Sequence, residues 1–255
     1  HLKTSMSTVE VQTDAGRAFA KLLGNGVGPN ALACELVAYR MASWLGVRCF
    51  DFAVAALPEQ LPVRFPNGAI AESGPAFVTK AVQQAEDFDG SERQTARIEN
   101  QDDIVRLVLL DTWTRNPDRY PPQPPPSERF GFRKPNFSNF FLGLGTSSRS
   151  ALLLYAMDFS HAFVHGRDLT ARSLGIVEQQ ETSLYGACPT FKAAVRGKWE
   201  LVGSLLTRLG EVDIDLARLW SANVPSRWAD SRLLESLAQF IWLRATYLVR
   251  DFRRL

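Results

Sequence analysis

The chain has 255 residues, 45% of them hydrophobic and 22% charged, and its 29 basic side chains nearly cancel 27 acidic ones to leave a net charge of +2. This balance suits a globular domain or two small lobes around a cleft, and it excludes the strong basic field that a nucleic-acid partner requires. Cys34, Cys49 and Cys188 are odd in number and lack C-x-x-C spacing, which excludes a disulfide framework or structural zinc site and points to a reducing, cytoplasmic setting. No apolar run approaches the roughly 20 residues that span a bilayer, and no leader is read at the start, so no membrane partner is expected.

From Ser7 to Leu23 the pattern reads as a hairpin whose turn is Asp14-Ala15-Gly16. A Gly-rich loop follows, then Asn30 as a helix cap, an amphipathic helix over 31–45 and Gly46 as its stop. Two strands are expected over 47–57 and 74–82, separated by a Pro-rich stretch. Residues 83–100 read as a polar segment and 104–113 as a buried helix. The Pro-dense loop 120–134 precedes two short strands, NFFLGL and ALLLYAMD, and the chain beyond Asp168 reads as helical. The tract Pro121–Pro126 reads either as a polyproline ligand for an SH3-like partner or as an extended surface insertion.

The stretch that carries chemistry is LLDTWTRNPDR, followed by NFFL and YAMDFSHAF. A helix delivers a loop containing Asp118, an Asn opens a strand, and the next strand ends in Asp158. Phosphoryl transfer needs one carboxylate to receive a hydroxyl proton and oxygen ligands to hold Mg²⁺ against phosphates. Taken singly, Asp118 also reads as a turn former, and Asp158 and Asn139 as strand-end caps.

These three motifs in this order resemble the HipA-like kinases, relatives of protein kinases and phosphoinositide kinases, and the ending LWSANVPSRWADSRLLESLAQFIWLRATYL adds to the likeness. The resemblance implies an α+β, two-lobed protein-kinase-like fold. A small β-rich N-lobe with one main helix would occupy residues 1–82, and a mostly helical C-lobe residues 83–255. It implies ATP and Mg²⁺ as cofactors, with Asp118 as base, Arg119 bracing the loop or contacting phosphate, and Asn139 with Asp158 as metal ligands. Asn136 competes with Asn139. Lys21 would contact the phosphates and Glu35 would orient it; the alternative is an exposed strand-end lysine and a solvated glutamate. Ser5 and Ser7 would lie in a hydroxyl-rich phosphate loop and be autophosphorylation candidates, or else belong to a partly ordered terminus. Thr79, Lys80 and Val82 would border the hinge that meets adenine.

Three departures from the family pattern stand out. Tyr120 replaces the His-like residue expected after Asp-Arg. About 20 residues, including the 121–135 insertion, separate Asp118 from Asn139, where a short span is usual. The Asp-Phe-Ser-His sequence places Ser160 where glycine would be freer to take positive φ, and His161 reads either as a phosphate or acceptor contact or as a packed histidine. The resulting expectation is transfer of the γ-phosphoryl group to a hydroxyl, with a protein Ser/Thr as acceptor and an antitoxin-like or regulatory partner. A pseudokinase-like scaffold and a nucleotidyl transferase on the same fold are the alternatives.

Overall fold

The computed structural model describes residues 8–122, 134–148, 150–165, 169–176 and 183–251. Ser5, Ser7 and most of the Pro-dense insertion lie outside the described residues. The first hairpin pairs β1 (Thr8–Thr13) with β2 (Gly16–Leu23), Thr13 facing Gly16. Gly16 takes φ +110°, which a side chain would strain, and the Thr13 hydroxyl donates to its carbonyl at 2.8 Å.

Helix α1 (Asn30–Leu45) ends at Gly46, whose φ of +80° lets its N–H reach the carbonyls of Ala42 and Ser43. The expected Asn30 cap is corrected. Pro29 occupies the cap position without a side-chain bond, and the Asn30 amide donates instead to the Leu169 carbonyl at 3.0 Å.

The sheet is completed by β3 (Phe52–Leu57) and β4 (Glu72–Lys80), in the antiparallel order β1-β2-β4-β3. The strand expected over 47–57 is shorter because its first residues change partner: the Arg48 carbonyl accepts from Ala156 N at 2.9 Å. Alternation along β2 and β4 sends Ala20, Leu22, Ala76 and Val78 to one face, where Phe65 and Ala71 cover them. Phe19, Lys21, Phe77 and Thr79 face the other way.

The segment 83–100 is not featureless. It contains β5 (Gln84–Glu86) and α2 (Glu92–Thr95), the latter capped by the Ser91 hydroxyl accepting from Gln94 N. After α3 (Asp102–Thr114), β6 (Phe140–Leu144) and β7 (Leu152–Ala156) join β5 in a small antiparallel sheet of order β5-β6-β7. The remainder is helical: α4 (Ala162–His165), α5 (Ala171–Ile176), α6 (Pro189–Val195), α7 (Trp199–Leu209), α8 (Ile214–Ser221) and α9 (Ser231–Asp251). Among the described residues no helix is long and apolar enough to cross a membrane.

One apolar cluster runs from α1 through α3, β6 and β7 to α9. The small antiparallel sheet with its single long helix, followed by a helical region, is a mixed α+β, two-lobed kinase-like fold, and the continuous core makes α1 the element shared by both regions.

Candidate active site

The central strand and the long helix meet at a buried ion cluster. Lys21 lies on β2, opposite Thr8 on one side and Phe77 on the other, so its side chain leaves the middle of the sheet. Its Nζ stands 2.9 Å from Glu35 Oε1 on α1 and 2.9 Å from Asp158 Oδ1 just beyond β7. Lys21 is 8% exposed, and Glu35 and Asp158 are each 1% exposed. Asp158 has φ +58°, a backbone conformation that costs a non-glycine residue and is held here from outside. Glu35 Oε2 accepts from Phe159 N at 3.0 Å, and the Ser160 hydroxyl donates to Asp158 Oδ1 at 2.7 Å.

Two carboxylates and one ammonium in a desolvated site carry an excess negative charge. Burial pushes the Glu35 carboxyl up to about 7 despite Lys21 beside it. Burial would also raise Asp158, but the Lys21 charge and the Ser160 bond outweigh it and hold that carboxyl below its usual value. Burial alone would lower Lys21, and the charges of Asp158 and Glu35 reverse the direction. Asp158 Oδ2 is buried with no hydrogen-bond partner among the described residues. An oxygen stripped of water and left unpaired is costly, and a cation placed against it would remove that cost.

Beside the cluster lies a narrow cavity of about 30 Å³. Phe19, Phe77 and Thr79 line it from the first sheet, Val82 from the connection to β5, and Phe50, Phe141 and Met157 from beneath. Lys21, Glu35 and Asp158 form its charged end. An apolar slot closed by a lysine and carboxylates offers a desolvated face at one end and charge at the other.

The second half of the site is the loop after α3. Arg115, with φ +51°, ends the helix, and Asn116 and Pro117 lead to half-buried Asp118. Asn116 Oδ1 accepts from Asp118 N at 3.2 Å. Asn139 Nδ2 donates to Asp118 Oδ2 at 2.6 Å, and Asn136 Nδ2 donates to Asp118 Oδ1 at 3.3 Å. The insertion therefore closes on itself: Asn136 N donates to the Arg119 carbonyl at 2.9 Å, so both ends of the long excursion meet beside the loop. Arg119 is 1% exposed, donating to Asp111 Oδ1 at 2.5 Å and to the Met157 carbonyl at 2.7 Å, with its guanidinium 4.5 Å from the Phe159 ring centre. It ties this loop to the turn carrying Asp158. Asp111 is buried with it, and burial raises its carboxyl to about 6 against the opposing Arg119 charge.

The structure brings Lys21, Glu35 and Asp158 into direct contact, and Asp118, Asn136 and Asn139 into a second group. Met157 N, next to Asp158, donates to the Asn139 carbonyl at 3.4 Å, which makes the two groups neighbours. Thr79 and Val82 line the cavity. Lys80 does not; it points to the surface, 3.9 Å from Asp51. His161 is half-buried, three residues beyond Asp158.

The apolar lining and the Ser160 bond were not singled out from sequence. The two-residue alternation that sets Phe19 beside Lys21 and Phe77 beside Thr79 was the available signal. Among the described residues no three His, Cys, Asp or Glu side chains cluster as a cation cage. Mg²⁺ does not need one, since it is ordinarily held by one or two protein oxygens together with phosphates and water. Asp158 Oδ2 and Asn139 Oδ1, whose amide nitrogen is engaged by Asp118, fit that requirement.

Comparison with known proteins matches residues 12–123 to the family model described as HipA-like kinase. The match contains Lys21, Glu35, Thr79, Asp118 and Arg119, while Asn139 and Asp158 lie beyond it. No curated protein matches the chain.

Proposed function

We propose, from the match of residues 12–123 to the HipA-like kinase model, that the protein is an ATP-dependent kinase transferring the γ-phosphoryl group to a hydroxyl, with a protein Ser/Thr as acceptor. The observation that carries this reading is Lys21 held 2.9 Å from both Glu35 and Asp158 at the charged end of an apolar cavity. We place the division between the lobes at 82/83, where the hinge would run from Val82.

In this reading Phe19, Phe77, Val82, Phe141 and Met157 exclude water from the base, and Lys21 contacts the phosphates with Glu35 fixing its direction. Asp158 and Asn139 would hold Mg²⁺, which when bound neutralises the phosphate oxygens and orients them. Asp118, oriented by the amides of Asn136 and Asn139, takes the proton of the acceptor hydroxyl. The acceptor oxygen bonds to the γ-phosphorus as the bond to the departing ADP oxygen breaks. Arg119 keeps the loop and the Asp158 turn in register. A regulatory, antitoxin-like partner is part of the proposal and would act on this site or its acceptor.

Incubation with Mg²⁺ and ATP, alone and with lysate, followed by intact-mass measurement, tests the reading. A gain of about 80 Da on the chain or an acceptor is expected, since a single phosphoryl group moves. A gain of about 329 Da would mean nucleotidyl transfer instead. No gain together with no thermal shift from Mg·ATP would leave a scaffold.

A further inference from the structure

The helix that carries Glu35 is held from two sides. Twelve of the sixteen residues of α1 are buried, so this is an interior helix and not one lying on the outside of a small lobe. Glu35 and Arg40 are five residues apart, about 140° around the helix axis at roughly 100° per residue. Glu35 faces the ion cluster. Arg40 faces away and donates through Nη1 to the Trp220 carbonyl at 2.7 Å and the Ala222 carbonyl at 2.5 Å, at the C-terminal end of α8. Carbonyls there lack helical partners, so the guanidinium supplies both hydrogen bonds and charge of the sign that the helix end favours. One turn further on, Trp44 packs against Trp113 of α3 and Trp220 of α8, with ring centres 6.1 and 5.3 Å away; Trp113 and Trp220 stand 5.6 Å apart.

The chain leaving α8 then reaches the sheet. Trp228, 1% exposed, donates its indole N–H to the Pro75 carbonyl on β4 at 3.2 Å. Arg227 bonds the Ser73 carbonyl and pairs with Glu72 at 2.9 Å. Gly74 between them has φ +123°, and the Arg227 guanidinium occupies the space its Cβ would need. Residues 220–228 thus grip α1 at one end and β4 at the other, although they lie about 180 residues downstream of α1.

We propose that the α8–α9 connection is a built-in strap that fixes α1 in the position where Glu35 meets Lys21, with Arg40 and Trp228 as positioning residues for the nucleotide site. The site is then assembled without a mobile helix having to swing inward, and a regulatory partner would have to loosen residues 220–228 to disassemble it. This inference rests on the nucleotide-site reading for its effect on ATP, but its structural part stands apart from that reading.

The test compares Arg40→Met, alone and in a Glu35→Gln background, by titration with Mg·ATP and by hydrogen exchange of residues 31–39. About ten-fold weaker binding is expected from R40M in the wild-type background, because a small displacement at the site is amplified. In the E35Q background the same change should cost less than about two-fold, since the coupling runs through Glu35. Exchange in 31–39 should rise in both backgrounds. Equal losses of affinity in the two backgrounds, or unchanged exchange in 31–39, would overturn the strap. Should Arg40→Met not fold, Trp228→Phe, which removes the N–H bond together with the five-membered part of the indole, carries the same comparison. Absent Mg·ATP binding by the unmodified protein would sink the nucleotide reading alone, and hydrogen exchange would still decide the strap.

Discussion

The two ends of the site are built on opposite principles. Lys21, Glu35 and Asp158 are buried and leave Asp158 Oδ2 with no hydrogen-bond partner among the described residues, whereas Asp118 is half-buried and has a neutral amide donor on each oxygen. The first end is electrostatically incomplete and is stabilised by whatever cation arrives. The second is complete already and is set up to orient a base. Binding and chemistry are thereby assigned to different residues, and mutations at the two ends should fail in different ways.

The largest effect is expected at the buried end. Lys21→Met leaves two carboxylates buried without a cation, so stability should fall by about 3–5 kcal/mol in urea denaturation, with Mg·ATP binding lost. A stability unchanged from wild type would show that the cluster is hydrated and not sealed. Asp158→Asn should behave differently, because Lys21 and Glu35 still match one to one. Stability should stay within about 1 kcal/mol, while magnesium-dependent nucleotide affinity falls about 100-fold in calorimetry.

The pH dependence separates the ends further. The Glu35 pKa in the folded chain, about 7, lies above its ordinary value. Its neutral form favours folding, so this contribution is fully present below about pH 4.5 and is lost as pH rises through 7. The unfolding free energy of the nucleotide-free protein, from urea denaturation, should therefore fall between pH 5 and 7.5 relative to that of Glu35→Gln, by an amount on the order of 2 kcal/mol. Parallel profiles for the two proteins would contradict the raised pKa. The smallest effect belongs to the open end. Asn136→Ala removes one hydrogen bond from Asp118, and turnover should drop about five-fold with the KM for ATP unchanged. A raised KM would instead make Asn136 a metal or nucleotide ligand.

How much was legible follows the same division. Lys21 on a strand and Glu35 on the next helix lie in regular elements with a clear period and Asp158 lies just past β7, but it was the family resemblance that singled the three out. The hairpin, α1, α3, β6 and β7 were legible from their period. The Asn30 cap was misread because the helix starts one residue earlier, with Pro29 at the cap position and the Asn30 amide donating to Leu169, 139 residues away, and β5 was missed because three residues become a strand only when β6 pairs with them. The role of Arg40 was invisible, since a lone arginine on an amphipathic helix reads as its solvated side until α8 is placed against it. The long insertion looked like an obstacle to joining Asp118 and Asn139, and the single bond from Asn136 N to the Arg119 carbonyl shows how its ends are brought together.

The most direct test of this division of labour measures Mg·ATP affinity and phosphoryl transfer side by side in Asp118→Asn and Asp158→Asn. The account predicts a crossed pattern. Asp118→Asn should bind nucleotide like wild type and transfer about 10²–10⁴-fold more slowly, while Asp158→Asn should lose binding first. Wild-type transfer by Asp118→Asn, or equal loss of binding in both variants, would contradict it.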